Sequence, residues 1–203
     1  MINKKKSLMV FAKNPVLGTA KTRLAASVGD QKALEIYKFL LEYTAQITSK
    51  VNCERRVFYS THTDLDDEFS NDLFSKTVQI QGDLGQKMYA AFEQMFKEGY
   101  QQVIIIGSDC YELSTEIISQ AFEALDQHNF VIGPANDGGY YLLGMRQLES
   151  VIFNHKKWSQ ERLYHDTLID LEALGYSYAE LPMLSDVDYL EDLPEDVRMK
   201  FEI

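Results

Sequence analysis

The stretch Val103-Ile104-Ile105-Ile106-Gly107-Ser108-Asp109-Cys110 decides the fold. Four consecutive β-branched apolar residues leave no polar face, which suits a central strand buried on both sides of a parallel sheet. Gly107-Ser108 then turns the chain out of that strand and sets a carboxylate, Asp109, at its tip. In an open α/β sheet ligands bind beyond the carboxyl ends of the strands, so Asp109 stands where a hard cation and its bound phosphates are met. The competing reading is an Asp that caps a turn or the following helix. Cys110 beside it reads as packing, because a neighbouring carboxylate raises a thiol pKa and no histidine is near in sequence.

Working outward, further short β-rich runs occur at Leu8–Ala12, Arg56–Ser60, Val78–Gln81 and Phe130–Gly133. Segments of helical period separate them: Leu34, Tyr37, Leu41, Thr44 and Ile47, then Leu84, Met88, Ala91, Phe92, Met95 and Phe96, then Ile118, Ala121, Phe122 and Leu125. The second of these opens with Asp83 as N-cap and Gln86 three residues on, and Gly99 can close it. Another helix is expected after Ser159, carrying Leu163, Leu168, Leu171 and Leu174 before Gly175. The alternation is the signature of an α/β protein with a Rossmann-like, mostly parallel sheet and helices on both faces. Tyr140-Tyr141-Leu142-Leu143-Gly144 follows its predecessor after only Asn136-Asp137-Gly138-Gly139, which predicts a hairpin or an added antiparallel strand and so a mixed sheet. No repeat, low-complexity run or linker divides residues 1–203, so one domain is expected.

Composition excludes several classes of function. The net charge of −11 would repel a phosphate backbone, and no Lys/Arg stripe offsets it except near the N-terminus, so no nucleic-acid partner is expected. Cys53 and Cys110 lack C-x-x-C spacing, and His62, His128, His155 and His165 form no H-x-x-x-H pair for zinc. A reduced, cytoplasmic setting follows. Lys4-Lys5-Lys6 before an apolar run imitates a signal peptide, but Lys13 ends the run early and no stretch approaches ~20 apolar residues. It reads as a buried first strand, with no membrane partner. Most of the seven acids between residues 185 and 203 read as a solvated face. Nothing in the chain indicates an oligomeric state.

Three further segments carry candidate chemistry. Lys13, Lys21 and Arg23 flank the Gly18 loop directly after the first strand, where Lys/Arg donors can neutralise a diphosphate while loop N–H groups approach it. The loop matches neither the Walker nor the Rossmann glycine pattern, and three basic residues solvating a surface loop is the bland alternative. Asp137 lies in a turn whose Gly138 and Gly139 serve a hairpin or let a ligand approach the backbone, with Tyr140 and Tyr141 as flat surfaces for a sugar or base. Asp186-Val187-Asp188 places two carboxylates on one side of an extended segment, as a divalent-metal site or as a repelling pair left in solvent. Gly82-Asp83-Leu84-Gly85 reads as a turn and cap, and Trp158-Ser159 as a core residue with an N-cap or as a stacking wall.

In this order and at these intervals, Phe11-Ala12-Lys13 through Lys21-Thr22-Arg23-Leu24, Gly82 to Gly85, Ile106 to Cys110, Gly133 to Tyr141, Trp158-Ser159 and Asp186 to Asp188 resemble a family of glycosyltransferase-like proteins in the nucleotide-diphospho-sugar transferase superfamily. The family was long labelled only as a domain of unknown function, and some members are described as glycosyltransferases associated with arsenosugar biosynthesis. The resemblance implies a GT-A-like fold that binds a nucleotide with its first half and an acceptor with its second. It implies Lys13, Lys21 and Arg23 on the nucleotide phosphates, and Asp109 and Asp188 on Mg²⁺ or Mn²⁺. Asp137, with Gly138, Gly139 and Tyr140, would line the sugar or acceptor side and orient or deprotonate the acceptor hydroxyl. The chain departs from the family at Tyr111, where proline is usual, and at Tyr189, where threonine is usual. Tyr111 is expected to make the loop after Asp109 bulkier and less rigid.

The expected function is glycosyl transfer from a nucleotide-diphosphate sugar to a small-molecule acceptor. The alternative is nucleotidyl transfer to a phosphorylated small molecule with release of pyrophosphate, because Lys21-Thr22-Arg23-Leu24 also resembles the first-loop motif of guanylyltransferases acting on phospholactate-type substrates. A catalytically silent nucleotide-binding protein is the third possibility.

Overall fold

Strands Lys6–Ala12 (β1), Glu54–Tyr59 (β2), Ser75–Val78 (β3), Gln102–Ile106 (β4), Phe130–Pro134 (β5), Tyr140–Met145 (β6) and Tyr178–Glu180 (β7) build one sheet in the order β3-β2-β1-β4-β6-β5-β7. The structure, a computed structural model, describes residues 6–154, 156, 158 and 160–203. Lys4 and Lys5, His155 and Ser159 therefore lie outside the described residues. β1 pairs in parallel with both β2 and β4, β2 with β3, and β5 with β7. β6 runs antiparallel to both of its neighbours, β4 and β5. The sheet is mixed, as the short turn before Tyr140 predicts, and the hairpin strand is inserted between β4 and β5.

Period-2 alternation of apolar side chains feeds both faces of the sheet. From β4, Ile104 and Ile106 join one cluster with Leu8, Val10, Val57, Val131 and Leu142, covered by helices Asp30–Ser49 (α2) and Thr115–Ala124 (α4). Val103 and Ile105 join the opposite cluster with Met9, Phe58, Ile132 and Leu143, covered by Leu84–Lys97 (α3) and Leu163–Ala173 (α5). Every residue of β4 is buried. α3 starts at the capping box of Asp83 and Gln86 and stops at Gly99, whose φ of 91° sits where a side chain is disfavoured.

A third apolar cluster, built from no strand residue, joins Thr22–Val28 (α1), the N-terminal part of α2 and Glu195–Lys200 (α6), through Leu24, Ile36, Leu40, Val187 and Val197. α2 thus buries two stripes, so Ala33, Ile36 and Leu40 are buried beside the predicted Tyr37, Leu41 and Ile47. The predicted strand Val78–Gln81 is displaced: β3 spans Ser75–Val78 as a half-exposed edge, with no apolar pattern to mark it. β7, only three residues long, was not predicted. Tyr111 stacks on Tyr43 and Phe39 with centroids 4.5 and 5.5 Å away and bonds to Asp196. Its bulk anchors the loop after Asp109 instead of loosening it.

Candidate active site

The basic loop and the acidic loops meet where β1 and β4, adjacent parallel strands, release the chain at their carboxyl ends. Asn14 fixes the first exit, because its buried side chain accepts from Thr61 N at 3.0 Å and donates to His62 O at 2.8 Å, tying the β1 loop to the β2 loop. Tyr37 on α2 fixes both: its hydroxyl bonds to the backbone of Lys13 and lies 3.2 Å from Ser108 Oγ. These two residues were not among the sequence candidates. Tyr37 showed only as one apolar position of a helix, although a buried tyrosine hydroxyl needs a partner.

The segment carrying Asp186 and Asp188 runs beside the β5 turn and β4 exit. Asn136 N donates to Leu184 O at 3.0 Å and Val187 N to Asp109 O at 2.9 Å. Val187 is buried in the third cluster, so the carboxylates on either side of it both line the cleft, as the i, i+2 spacing predicts. Asp192 accepts from the backbone N–H groups of Asp188 and Tyr189 at 2.9 and 2.7 Å and fixes that end of the segment.

Lys21 sits at the centre. Its ammonium lies 2.6 Å from Asp109 Oδ2 and 3.2 Å from Asp188 Oδ1, and its side chain is 7% exposed. Arg23 adds a contact of 2.8 Å to Asp188 Oδ2 and lies over the Tyr189 ring. Burial pulls the Lys21 pKa down, but the charges and hydrogen bonds of Asp109 and Asp188 outweigh it and leave the pKa raised. Burial likewise opposes ionisation of Asp188, and Lys21 and Arg23 overcome it and lower its pKa. Lys21 also has φ 50° and ψ 49°, the left-handed region, as the N-cap of α1. For a side chain of this size that conformation costs about 1–2 kcal/mol.

Two joined clefts open here. The first, about 570 Å³, is lined by Lys13, Lys21, Arg23, Lys87, Ser108 and Asp109 among others, so it is basic with one acidic edge. Lys87, from the first turn of α3, was not a sequence candidate. The second, about 350 Å³, shares Lys13, Asp109 and Asp188 and adds Asp137, Gly139, Tyr140, Trp158 and Asp186. Trp158 is half-buried: it packs against the sheet's second cluster and lines the second cleft. Gly138 takes a different place. With φ 86° it packs against the backbone of Glu161, where an added Cβ would lie 2.0 Å from the Glu161 carbonyl oxygen, so the close approach is made by the chain itself. Gly139 and Tyr140 do line the second cleft.

The donors suit a hard cation: carboxylate oxygens only, two of them around one ammonium, with Asp186 Oδ1 buried and, among the described residues, without a hydrogen-bond partner. Among the described residues no group of three or more His, Cys, Asp or Glu side chains is close enough to hold a metal by itself. Mg²⁺ needs only one or two carboxylates when waters and substrate phosphates complete its shell, so the pair fits. Burial, and then the charge of Asp109, push the Asp186 carboxyl well above the usual carboxylate range, to about 8, with Lys21 pulling the other way.

Residues 43–160 match the profile of a family described as an uncharacterized protein conserved in bacteria (DUF2064). The chain belongs to this family. A crystal structure of a candidate nucleotide-diphospho-sugar transferase from Desulfovibrio desulfuricans G20 superposes with a TM-score of 0.85 at 26% identity, covering 96% of this chain and 90% of that one. The family therefore sits in the nucleotide-diphospho-sugar transferase superfamily. More distant structures share the fold alone. They include the inositol-1-phosphate CTP transferase of T. maritima (TM-score 0.56, 13% identity, 100% of this chain and 97% of that one). A cytidylyltransferase from Leptospira borgpetersenii is similar (TM-score 0.59, 13% identity, 93% and 83%). No curated protein matches the sequence significantly. Among the described residues no helix is long and apolar enough to cross a membrane.

Proposed function

We propose that this DUF2064 protein is a nucleotidyltransferase, joining a nucleotide from a nucleoside triphosphate to a small phosphorylated acceptor and releasing pyrophosphate. The observation that carries the reading is the first cleft, in which Lys13, Lys21, Arg23 and Lys87 gather at the end of β1 beside Asp109. Four cations in one cleft suit a triphosphate better than a diphosphate. The cytidylyltransferase and the CTP transferase that share the fold support it. The reading takes residues 1–203 as one domain of GT-A-like type and places it in the cytoplasm, which two free, buried thiols suit.

In this mechanism an oxygen of the acceptor phosphate attacks the α-phosphorus, the bond from the α-phosphorus to the bridging oxygen breaks, and pyrophosphate leaves with that oxygen and its electron pair. Lys13, Lys21, Arg23 and Lys87 neutralise the charge that builds on the leaving group. Asp137, which lines the second cleft, orients the acceptor through its hydroxyls. Asp109 and Asp188 would hold Mg²⁺ or Mn²⁺, which when bound supplies further positive charge to the phosphates.

Glycosyl transfer is the second reading, favoured by the Desulfovibrio relative and by the aromatic second cleft, where Trp158 and Tyr140 offer faces to a sugar. There Asp137 would take the proton of an acceptor hydroxyl. Incubation with nucleoside triphosphates and with sugar nucleotides, each with a panel of sugar phosphates and polyols, separates the two. Pyrophosphate release supports nucleotidyl transfer. Release of a nucleoside diphosphate from a sugar nucleotide without pyrophosphate overturns it in favour of the second reading.

A further inference from the structure

Lys21 is doing something a phosphate-binding lysine need not do. Its ammonium is inserted between the two carboxylates best placed for a divalent cation, 2.6 Å from Asp109 and 3.2 Å from Asp188. Asp188 has Arg23 as well, but among the described residues Lys21 is the only cationic partner of Asp109 within salt-bridge distance. A lysine ammonium and a hydrated divalent ion cannot share that position, because both need the same oxygens at contact distance.

The same side chain lines the basic cleft, so the two destinations of its ammonium are neighbours. A four-carbon stem with three rotatable donors can move between them, and the left-handed backbone at Lys21 marks a residue held in place by its surroundings. Departure of Lys21 leaves the Asp109 and Asp188 carboxylates without the ammonium between them, Asp188 keeping its contact to Arg23. That arrangement calls for a cation of higher charge.

We propose that Lys21 is the resident counter-ion of the Asp109 and Asp188 pair, and that nucleotide phosphates draw it into the basic cleft and so open the pair to the metal. This rests on the nucleotide-and-metal reading of the site and adds its order: metal alone binds weakly, and metal and nucleotide bind with positive coupling. The coupling is reciprocal by linkage, so the metal must tighten the nucleotide by the same factor. A site closed by Lys21 most of the time has its apparent metal affinity reduced by the open fraction.

The test is Mn²⁺ binding to the whole protein, with free Mn²⁺ counted by electron paramagnetic resonance, with and without CTP. Lys21→Met is expected to bind Mn²⁺ alone at least tenfold more tightly than the wild-type protein. Lys87→Met, which removes a charge from the cleft without touching the carboxylates, should stay within about twofold. Asp109→Asn added to Lys21→Met should remove the gain. CTP should raise Mn²⁺ affinity more in the wild-type protein than in Lys21→Met. Lys21→Gln gives the same comparison if the methionine variant does not fold. Mn²⁺ affinity equal in wild type and Lys21→Met, a gain of equal size in Lys87→Met, or no uptake by any variant overturns the proposal. If no nucleoside triphosphate shifts the melting temperature, the nucleotide reading fails, and the metal-only comparison still decides whether Lys21 occupies the site.

Discussion

The hydroxyl of Tyr37 accepts from the amide of Lys13 at 2.9 Å and donates to the carbonyl of the same residue at 3.0 Å. One side chain from α2 thus satisfies both backbone groups of the first residue beyond β1. With its single proton committed to Lys13, it takes a third bond as acceptor from Ser108 Oγ, which neighbours Asp109. The basic and acidic exits are set at a fixed distance through this atom.

Tyr37→Phe keeps the ring in the core and leaves those groups without their partner. The expected loss is about 1–3 kcal/mol, a few degrees in melting temperature, because unsatisfied buried groups retain their desolvation penalty. Nucleotide affinity should fall with it, since Lys13 and Asp109 are no longer held together. A Phe variant of unchanged stability and affinity would show that the two loops are fixed by other contacts.

Gly85 and Trp158 make a second close pair. A Cβ at Gly85 would lie 2.3 Å from Trp158 Cζ2, so Gly85→Ala must displace either the indole or the start of α3. Alanine improves helix propensity in α3 by about 1 kcal/mol, which offsets part of the lost packing, so global stability should change little. The chain has one tryptophan, so intrinsic fluorescence reports this wall of the second cleft alone. The emission is expected to shift to the red and acceptor affinity to fall while nucleotide affinity holds. An unchanged spectrum would mean that the helix yields instead of the indole.

What could be read in the sequence follows from what leaves a local trace. The apolar runs Leu8–Ala12 of β1 and Val103–Ile106 of β4 were legible as buried strands, and the glycine-rich turn before Tyr140 announced an antiparallel neighbour. The insertion of β6 between β4 and β5 was not, since nothing local encodes which strands the hairpin joins. β3 and β7 are half-exposed edges and carry no pattern. In the site, Asp109, Asp137, Asp186 and Asp188 were visible because strand ends and i, i+2 spacing place them. The embrace of Lys21 by Asp109 and Asp188 was not, because it closes across 88 and 167 positions. Gly138 was open to two readings because a positive φ serves a turn and a ligand equally, and only the Glu161 backbone shows what fills the space.

Away from the site, Lys76 and Asp67 form an ion pair of 2.7 Å with side chains 4% and 7% exposed. Lys76 also donates to Asp64 O at 2.8 Å, and the Tyr59 hydroxyl donates to Asp67, so the pair ties the loop between β2 and β3 to the sheet edge. Lys76→Met strands a buried carboxylate and should cost roughly 3–5 kcal/mol, or about 10 °C in melting temperature. Lys76→Met with Asp67→Asn should recover part of that loss, because the uncompensated charge is gone. A double variant no more stable than the single one would place the cost in packing and not in charge.

Asp186 gives the protein a pH dependence whose sign is fixed by burial. Its folded pKa is raised to about 8 by burial and by the charge of Asp109, above its unfolded value near 4. The folded state therefore holds this proton more tightly across that window, and stability present below about pH 4 is lost as pH rises toward 8. Asp186→Asn cannot ionise. In EDTA, the difference in unfolding free energy between Asp186→Asn and the wild-type protein should be small at pH 5 and grow in favour of the variant by pH 8, on the order of a few kcal/mol at most. A difference independent of pH would show that Asp186 is ionised throughout. The charge it carries would then be met by Lys21 and not avoided by protonation.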